Sequence, residues 1–171
     1  MNAALSIVGL VALQRLAEMA LARRNQRRLQ ARGGIETGSS HYPLIVGLHA
    51  AWLAALAWTV APGAPVAWAW LSLFLVLQAA RIWVIASLGD YWTTRIVSIP
   101  GERLVRRGPY RFLRHPNYAV VAAEIPVLPM VFGEWQLAVG FGLANLIVLG
   151  WRIRVEDRFL AARRHAAPVQ G

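Results

Sequence analysis

The chain contains no cysteine, so a disulfide framework, a thiolate nucleophile and a thiolate metal site are all excluded. It contains no lysine either, which removes amine-based covalent chemistry. No metal site is expected. Acidic residues are scarce: 8 Asp and Glu stand against 18 arginines, a formal charge of +10. Charged residues make up only 15% of the 171 positions, and apolar ones 57%. Soluble domains carry about a quarter charged residues, so this chain is short of solvating groups. A charge of +10 would suggest nucleic acid in a soluble protein. Here, however, the arginines fall in blocks between apolar runs, the pattern of cytoplasmic loops in a membrane protein. No nucleic-acid partner is expected. Arginine in place of every lysine, with abundant alanine, fits GC-rich coding and a bacterial source. The length suits a single domain, residues 1–171.

Apolar runs dominate what is present. The first, Ala3 to Ala22, has no basic leader and is followed by RRNQRR rather than a small-residue cleavage site. It reads as a membrane helix, not a signal peptide. Arg15 and Glu18 share one face of it, either as an internal ion pair or as the lining of a polar cavity. The basic segment Arg23 to Arg32 and a flexible GGIETGSS lead to a second run, Leu44 to Ala61. His49 on that run is expected to be a packed, neutral histidine. A PGAP turn precedes the third run, Val66 to Leu88, where Arg81 is expected to snorkel and Gln78 either snorkels or faces the bundle interior. Gly89 to His115 is polar and rich in breakers, with a β-like TTRIVSI inside it. The fourth run, Asn117 to Phe132, holds Pro126 and Pro129 and would reach only about 24 Å as a helix. A GEW turn leads to the fifth, Gln136 to Trp151, and then to a charged helix, RIRVEDRFLAARRH. A crossing needs about 20 residues, so the fourth run is marginal.

Segments 23–32, 95–114 and 152–164 hold 16 of the 18 arginines, and the PGAP and GEW turns hold none. Positive residues stay in the cytoplasm. The expectation is an all-α integral membrane protein of the inner membrane with five crossings. Its N-terminus is outside, its C-terminus inside, and its last two helices form a hairpin.

Topology accounts for most of the arginines, but not for the detail of RRGPYRFLRHPNYAVVAAE. Pro116 drives His115 out of the α region and suits the first position of a helix. The free N–H groups at that helix start form a ready anion site, ringed by Tyr110, His115, Asn117 and Tyr118. Glu124 lies two turns further on, at a depth where an ionisable group is costly. It is expected either to be functional, binding the substrate, or to be a structural hydrogen-bonding group within the hairpin. Beyond the fifth run, Arg152 and Glu156 stand one turn apart, in the order less favourable for a surface pair. A hairpin would return them to the face of His115 and Tyr118. One arginine and one carboxylate there are matched to an oxyanion and an ammonium.

GPYRFLRHPNY followed by RIRVEDRFL resembles the isoprenylcysteine carboxyl methyltransferase family, integral membrane enzymes with an RHPxY signature and a later R-x-x-x-E-[ED] element. The resemblance covers about residues 77–160. RHPNY alone is shared with NADPH-using membrane sterol reductases. RHPNYAVVAAEIPVLP and YWTTRIV resemble most a bacterial subgroup that occurs with type III polyketide synthases and is thought to O-methylate alkylpyrone-type lipids. The resemblance implies a cytosol-facing S-adenosylmethionine pocket between the last two helices and the cytoplasmic loop. Gly108, Tyr110, His115, Pro116, Asn117 and Tyr118 would hold the cofactor. Glu156 would bind its polar end, and Arg152 would orient an acceptor oxygen. Many relatives carry a glycine soon after RHPxY. Ala119, Val120 and Val121 stand there instead, which alters the backbone approach along the fourth helix.

The function expected is transfer of a methyl group to a lipophilic acceptor, such as an enol or a prenylcysteine-like carboxylate. Direct displacement at a sulfonium carbon needs neither cysteine nor lysine, only proximity and alignment. An acidic acceptor arrives ionised and needs only Arg152. A weaker acid would need a base, for which His115, Glu124 and Glu156 are candidates. The directed contacts of His115, Tyr118 and Glu156 are expected to outweigh flanking charges such as Arg103 and Arg111. The rivals are an NADPH-dependent membrane reductase and a non-catalytic helical subunit.

Overall fold

A computed structural model describes residues 3–37, 42–102 and 105–166; Arg103 and the end of GGIETGSS lie outside them. Five helices follow one another: α1 (Ala3–Ala31), α2 (Tyr42–Thr59), α3 (Trp68–Leu88), α4 (Pro116–Met130) and α5 (Trp135–Ala166). Two three-residue strands, β1 (Ile35–Thr37) and β2 (Ile96–Ser98), pair antiparallel with Glu36 opposite Val97. TTRIVSI thus does contain a strand, and Ile35–Thr37 within GGIETGSS supply its partner.

Two helices outrun their apolar cores. The basic segment after Ala22 stays helical to Ala31, because arginine and glutamine are good helix formers and no breaker comes before Gly33. There Gly33 at φ 85° lets its own N–H reach Gln30 O and that of Gly34 reach Leu29 O. This is the usual left-handed glycine termination. The charged segment after Trp151 is likewise no separate helix but the continuation of the 32-residue α5. α4 stops by the same device as α1, with Gly133 at φ 77° and Glu134 N bonded to Pro129 O.

α1, α2, α3 and α5 are long and apolar enough to cross a membrane, so the chain is a multi-pass membrane protein. Leu10, Leu13, Val76, Ile82, Leu143 and Ile147 point outward from α1, α3 and α5, as lipid-facing helices require. α4, at 15 residues, is shorter and mostly buried, packed against α3 and α5. The core draws on all five helices through Val8, Trp52, Phe74, Ile125, Leu128 and Leu149.

The two ends of the bundle differ. At one, Ala67 N donates to Val131 O at 2.8 Å, which joins the PGAP turn to the turn after α4. At the other, Asn25 of α1 donates to Gly89 O and Trp92 O, and Arg152 of α5 donates to Thr94 O. The three arginine-bearing segments therefore meet at one end. α4 runs from that end to the other, and α5 returns beside it: Pro126 packs near Gly142, and His115 reaches Asp157.

Candidate active site

A cavity of about 330 Å³ opens at the arginine end. Its walls are the segment from Leu88 through β2, the start of α4, and α5 at Arg152, Glu156 and Asp157. Pro116 sets the geometry. It is the first residue of α4, and His115 before it takes φ −129° and ψ 59°, outside the helical region as a residue preceding proline should be. The imidazole can then stack on Tyr118, with ring centroids 5.4 Å apart and planes 17° from parallel.

Tyr118 joins α4 to α5. Its hydroxyl accepts from Arg152 Nε at 2.7 Å and donates to a Glu156 carboxylate oxygen. Arg152 and Glu156 are thus bridged by a phenol. Arg152 is buried and also donates from Nη2 to Thr94 O at 2.6 Å, which ties α5 to the loop before β2. His115 Nε2 lies 3.1 Å from Asp157 Oδ1. Burial, aided by the nearby Glu156 charge, pushes the Tyr110 phenol above its usual range, so it stays protonated and able to donate. Asn117 lines the cavity, and its buried Oδ1 has no partner among the described residues.

Residues 70–162, more than half of the chain, match the Isoprenylcysteine carboxyl methyltransferase (ICMT) family. The chain belongs to that family. A relative described as "Uncharacterized protein YpbQ", from Bacillus subtilis (strain 168), is 39% identical over 159 residues, covering 90% of this chain and 94% of the relative. No solved structure matches. Membership of the isoprenylcysteine carboxyl methyltransferase family makes a membrane methyltransferase the general class of the protein and does not favour a reductase or a non-catalytic subunit.

Of the residues expected at the site of this family member, Tyr110, His115, Asn117, Tyr118, Arg152 and Glu156 line the cavity. Pro116 and Gly108 do not. Gly108 sits at φ 55°, and a Cβ there would overlap Ser87 Oγ. Its place is to let the turn Gly108–Arg111 press on α3. Glu124 is also elsewhere. Only 1% exposed, it accepts from Arg15 Nη2 at 3.0 Å, Gln78 Nε2 at 2.9 Å and Arg81 Nη1 at 2.9 Å. Arg81 does not snorkel. It is buried, and its Nε and Nη2 both grip Glu18 at 2.6 Å. Partly buried Arg15 and buried Glu18, Arg81 and Glu124 form a cluster of two arginines and two acidic side chains that clamps α1, α3 and α4. Of the two readings of Arg15 and Glu18, the internal ion pair is realised at 2.9 Å, within this larger set.

Three contributors lie beyond the residues expected from the sequence. Asp157 was signalled by the second acid of R-x-x-x-E-[ED]. TTRIVSI was legible as a strand, but not that Thr94 O beside it would receive Arg152. Asn25 gave no signal, since its two carbonyl partners lie more than 60 residues away.

Proposed function

We propose that this protein transfers a methyl group from S-adenosylmethionine to an ionisable oxygen of a lipophilic acceptor, with its site on the cytoplasmic face. The observation that carries the reading is the Arg152–Tyr118–Glu156 chain of hydrogen bonds at the wall of a cavity of about 330 Å³. That volume falls at the small end of ligand pockets, which run from about 300 to 1,000 Å³. A volume of that size takes one small ligand, here the cofactor, and the acceptor would reach Arg152 from the cavity mouth with its apolar tail among the helices.

The residues present fit the cofactor. Glu156, which accepts from the Tyr118 hydroxyl, and Asp157 line the cavity and offer acidic side chains to an ammonium. Asn117 Oδ1 is a buried acceptor in want of an N–H donor. His115 and Tyr118 present stacked aromatic faces to a cationic or planar group. When bound, S-adenosylmethionine supplies an electrophilic methyl group on a sulfonium sulfur. Arg152 spends Nε on Tyr118 and Nη2 on Thr94. Its fixed fork holds an acceptor oxyanion with what remains. An enol or carboxylate acceptor needs no base under this arrangement; for a weaker acid, His115, paired with Asp157, is the group placed to take a proton. Glu124 lies outside the cavity lining and takes no part.

α4 is proposed to complete a fifth crossing as half of a hairpin with α5, with the N-terminus outside and the C-terminus in the cytoplasm of a bacterial inner membrane.

Incubation of the purified protein with methyl-labelled S-adenosylmethionine and a bacterial lipid extract tests the reaction. Label should enter the organic phase, as a base-labile ester from a carboxylate or a base-stable ether from an enol. Label that never leaves the aqueous phase across lipid extracts contradicts the proposal.

A further inference from the structure

Beside the cavity stands an exposed apolar tip. Phe112 and Leu113 are 78% and 54% exposed, adjacent, and flanked by Arg111 and Arg114. Arg106 and Arg107 are exposed as well, and residues 105–114 contain no acidic residue. Two bulky apolar side chains held out to water would be a poor arrangement. Their surroundings place them elsewhere. The turn Gly108–Arg111 is pressed against α3, so that a Cβ on Gly108 would stand 3.3 Å from Trp83 Nε1. Trp83 is half exposed on α3, and Trp151 is half exposed on α5 at the same end of the bundle. Half-exposed indoles near the ends of apolar helical runs mark the membrane–water boundary. The tip therefore leaves the protein at the depth of that boundary, not above it.

We propose that the Arg111–Arg114 tip is an interfacial anchor. Phe112 and Leu113 enter the headgroup–acyl boundary, while Arg106, Arg111 and Arg114 bind the phosphates of anionic lipids. Apolar residues buried shallowly beside arginines are the combination that favours an anionic leaflet. Leu113 and Arg114 also line the cavity, so the anchor holds the cavity mouth against the leaflet. The inference needs only the multi-pass membrane reading and stands apart from the reaction performed.

The absence of cysteine makes site-directed spin labelling direct. Phe112→Cys is labelled in vesicles of phosphatidylcholine, with and without phosphatidylglycerol. Leu143→Cys on the lipid-facing side of α5 and Gln30→Cys at the exposed end of α1 serve as references. The label at 112 should show an oxygen-to-nickel accessibility ratio between those at 143 and 30, and well above that at 30. Should Phe112→Cys misfold, Leu113→Cys replaces it. Phosphatidylglycerol binding, read by native mass spectrometry, should weaken on the order of five-fold for each of Arg106, Arg111 and Arg114 changed to Gln. A label at 112 as open to nickel as that at 30 would overturn the anchor and leave the tip to a soluble partner. A lipid-buried label with unchanged phosphatidylglycerol binding in the triple variant would overturn the anionic-lipid assignment.

Discussion

Tyr118 holds its hydroxyl between opposite charges, accepting from Arg152 and donating to Glu156. Its removal should therefore be felt by both. Tyr118→Phe deletes two charge-assisted hydrogen bonds, each worth about 1.5–3 kcal/mol. It is expected to weaken S-adenosylhomocysteine binding by at least about ten-fold, measured by calorimetry in detergent. Unchanged affinity would mean the phenol only pads the helix pair. Arg111→Ala, at an exposed position off the cavity wall, should stay within about 0.5 kcal/mol of the parent. Arg152→Ala should lower turnover of an acidic acceptor and spare S-adenosylhomocysteine affinity, whereas Glu156→Ala should lose that affinity first. Equal losses of affinity in the two would make Arg152–Tyr118–Glu156 a single structural unit and refute the division of roles.

At the scale of elements, the cluster of Arg15, Glu18, Arg81 and Glu124 fastens three helices by paired charges away from water. Breaking such a set by removing one partner is costly, about 3–5 kcal/mol, because the opposite charge is left buried. Glu124→Leu should thus lower the thermal midpoint sharply in detergent, and Glu124→Gln, which keeps hydrogen bonding, should lower it less. Equal midpoints for parent and Glu124→Leu would show that the cluster is not a clamp. The sequence announced that Glu124 was unusual, since a carboxylate deep in an apolar run has to find partners. It could not announce those partners, because Arg15 lies 109 residues away and Arg81 lies 43. The same limit explains Arg81: four residues from Leu77 and seven from Leu88, it looked near enough to a helix end to reach water. Local signals fared better. His115–Pro116 marked the start of α4, and the GPYRFLRHPNY and R-x-x-x-E elements named six cavity-lining residues. Hydrophobicity alone understates helix length in this chain. α1 and α5 continue through arginine-rich segments that are polar but helix-forming.

For the whole molecule, the arginine segments and the cavity share one end, while the PGAP turn and the turn after α4 share the other, joined by the Ala67–Val131 hydrogen bond. If arginine bias sets orientation, Ala61→Cys should react with an impermeant thiol reagent on intact cells, and Val105→Cys and Gln30→Cys should not. The reverse pattern would put the cavity on the side without S-adenosylmethionine. What the molecule binds in that cavity is the central question, and calorimetry on purified protein in detergent addresses it most directly. S-adenosylhomocysteine should bind saturably at one site, with affinity reduced in Glu156→Ala and Tyr118→Phe, and NADPH should give no heat of binding. Saturable NADPH binding with no response to S-adenosylhomocysteine would contradict the account.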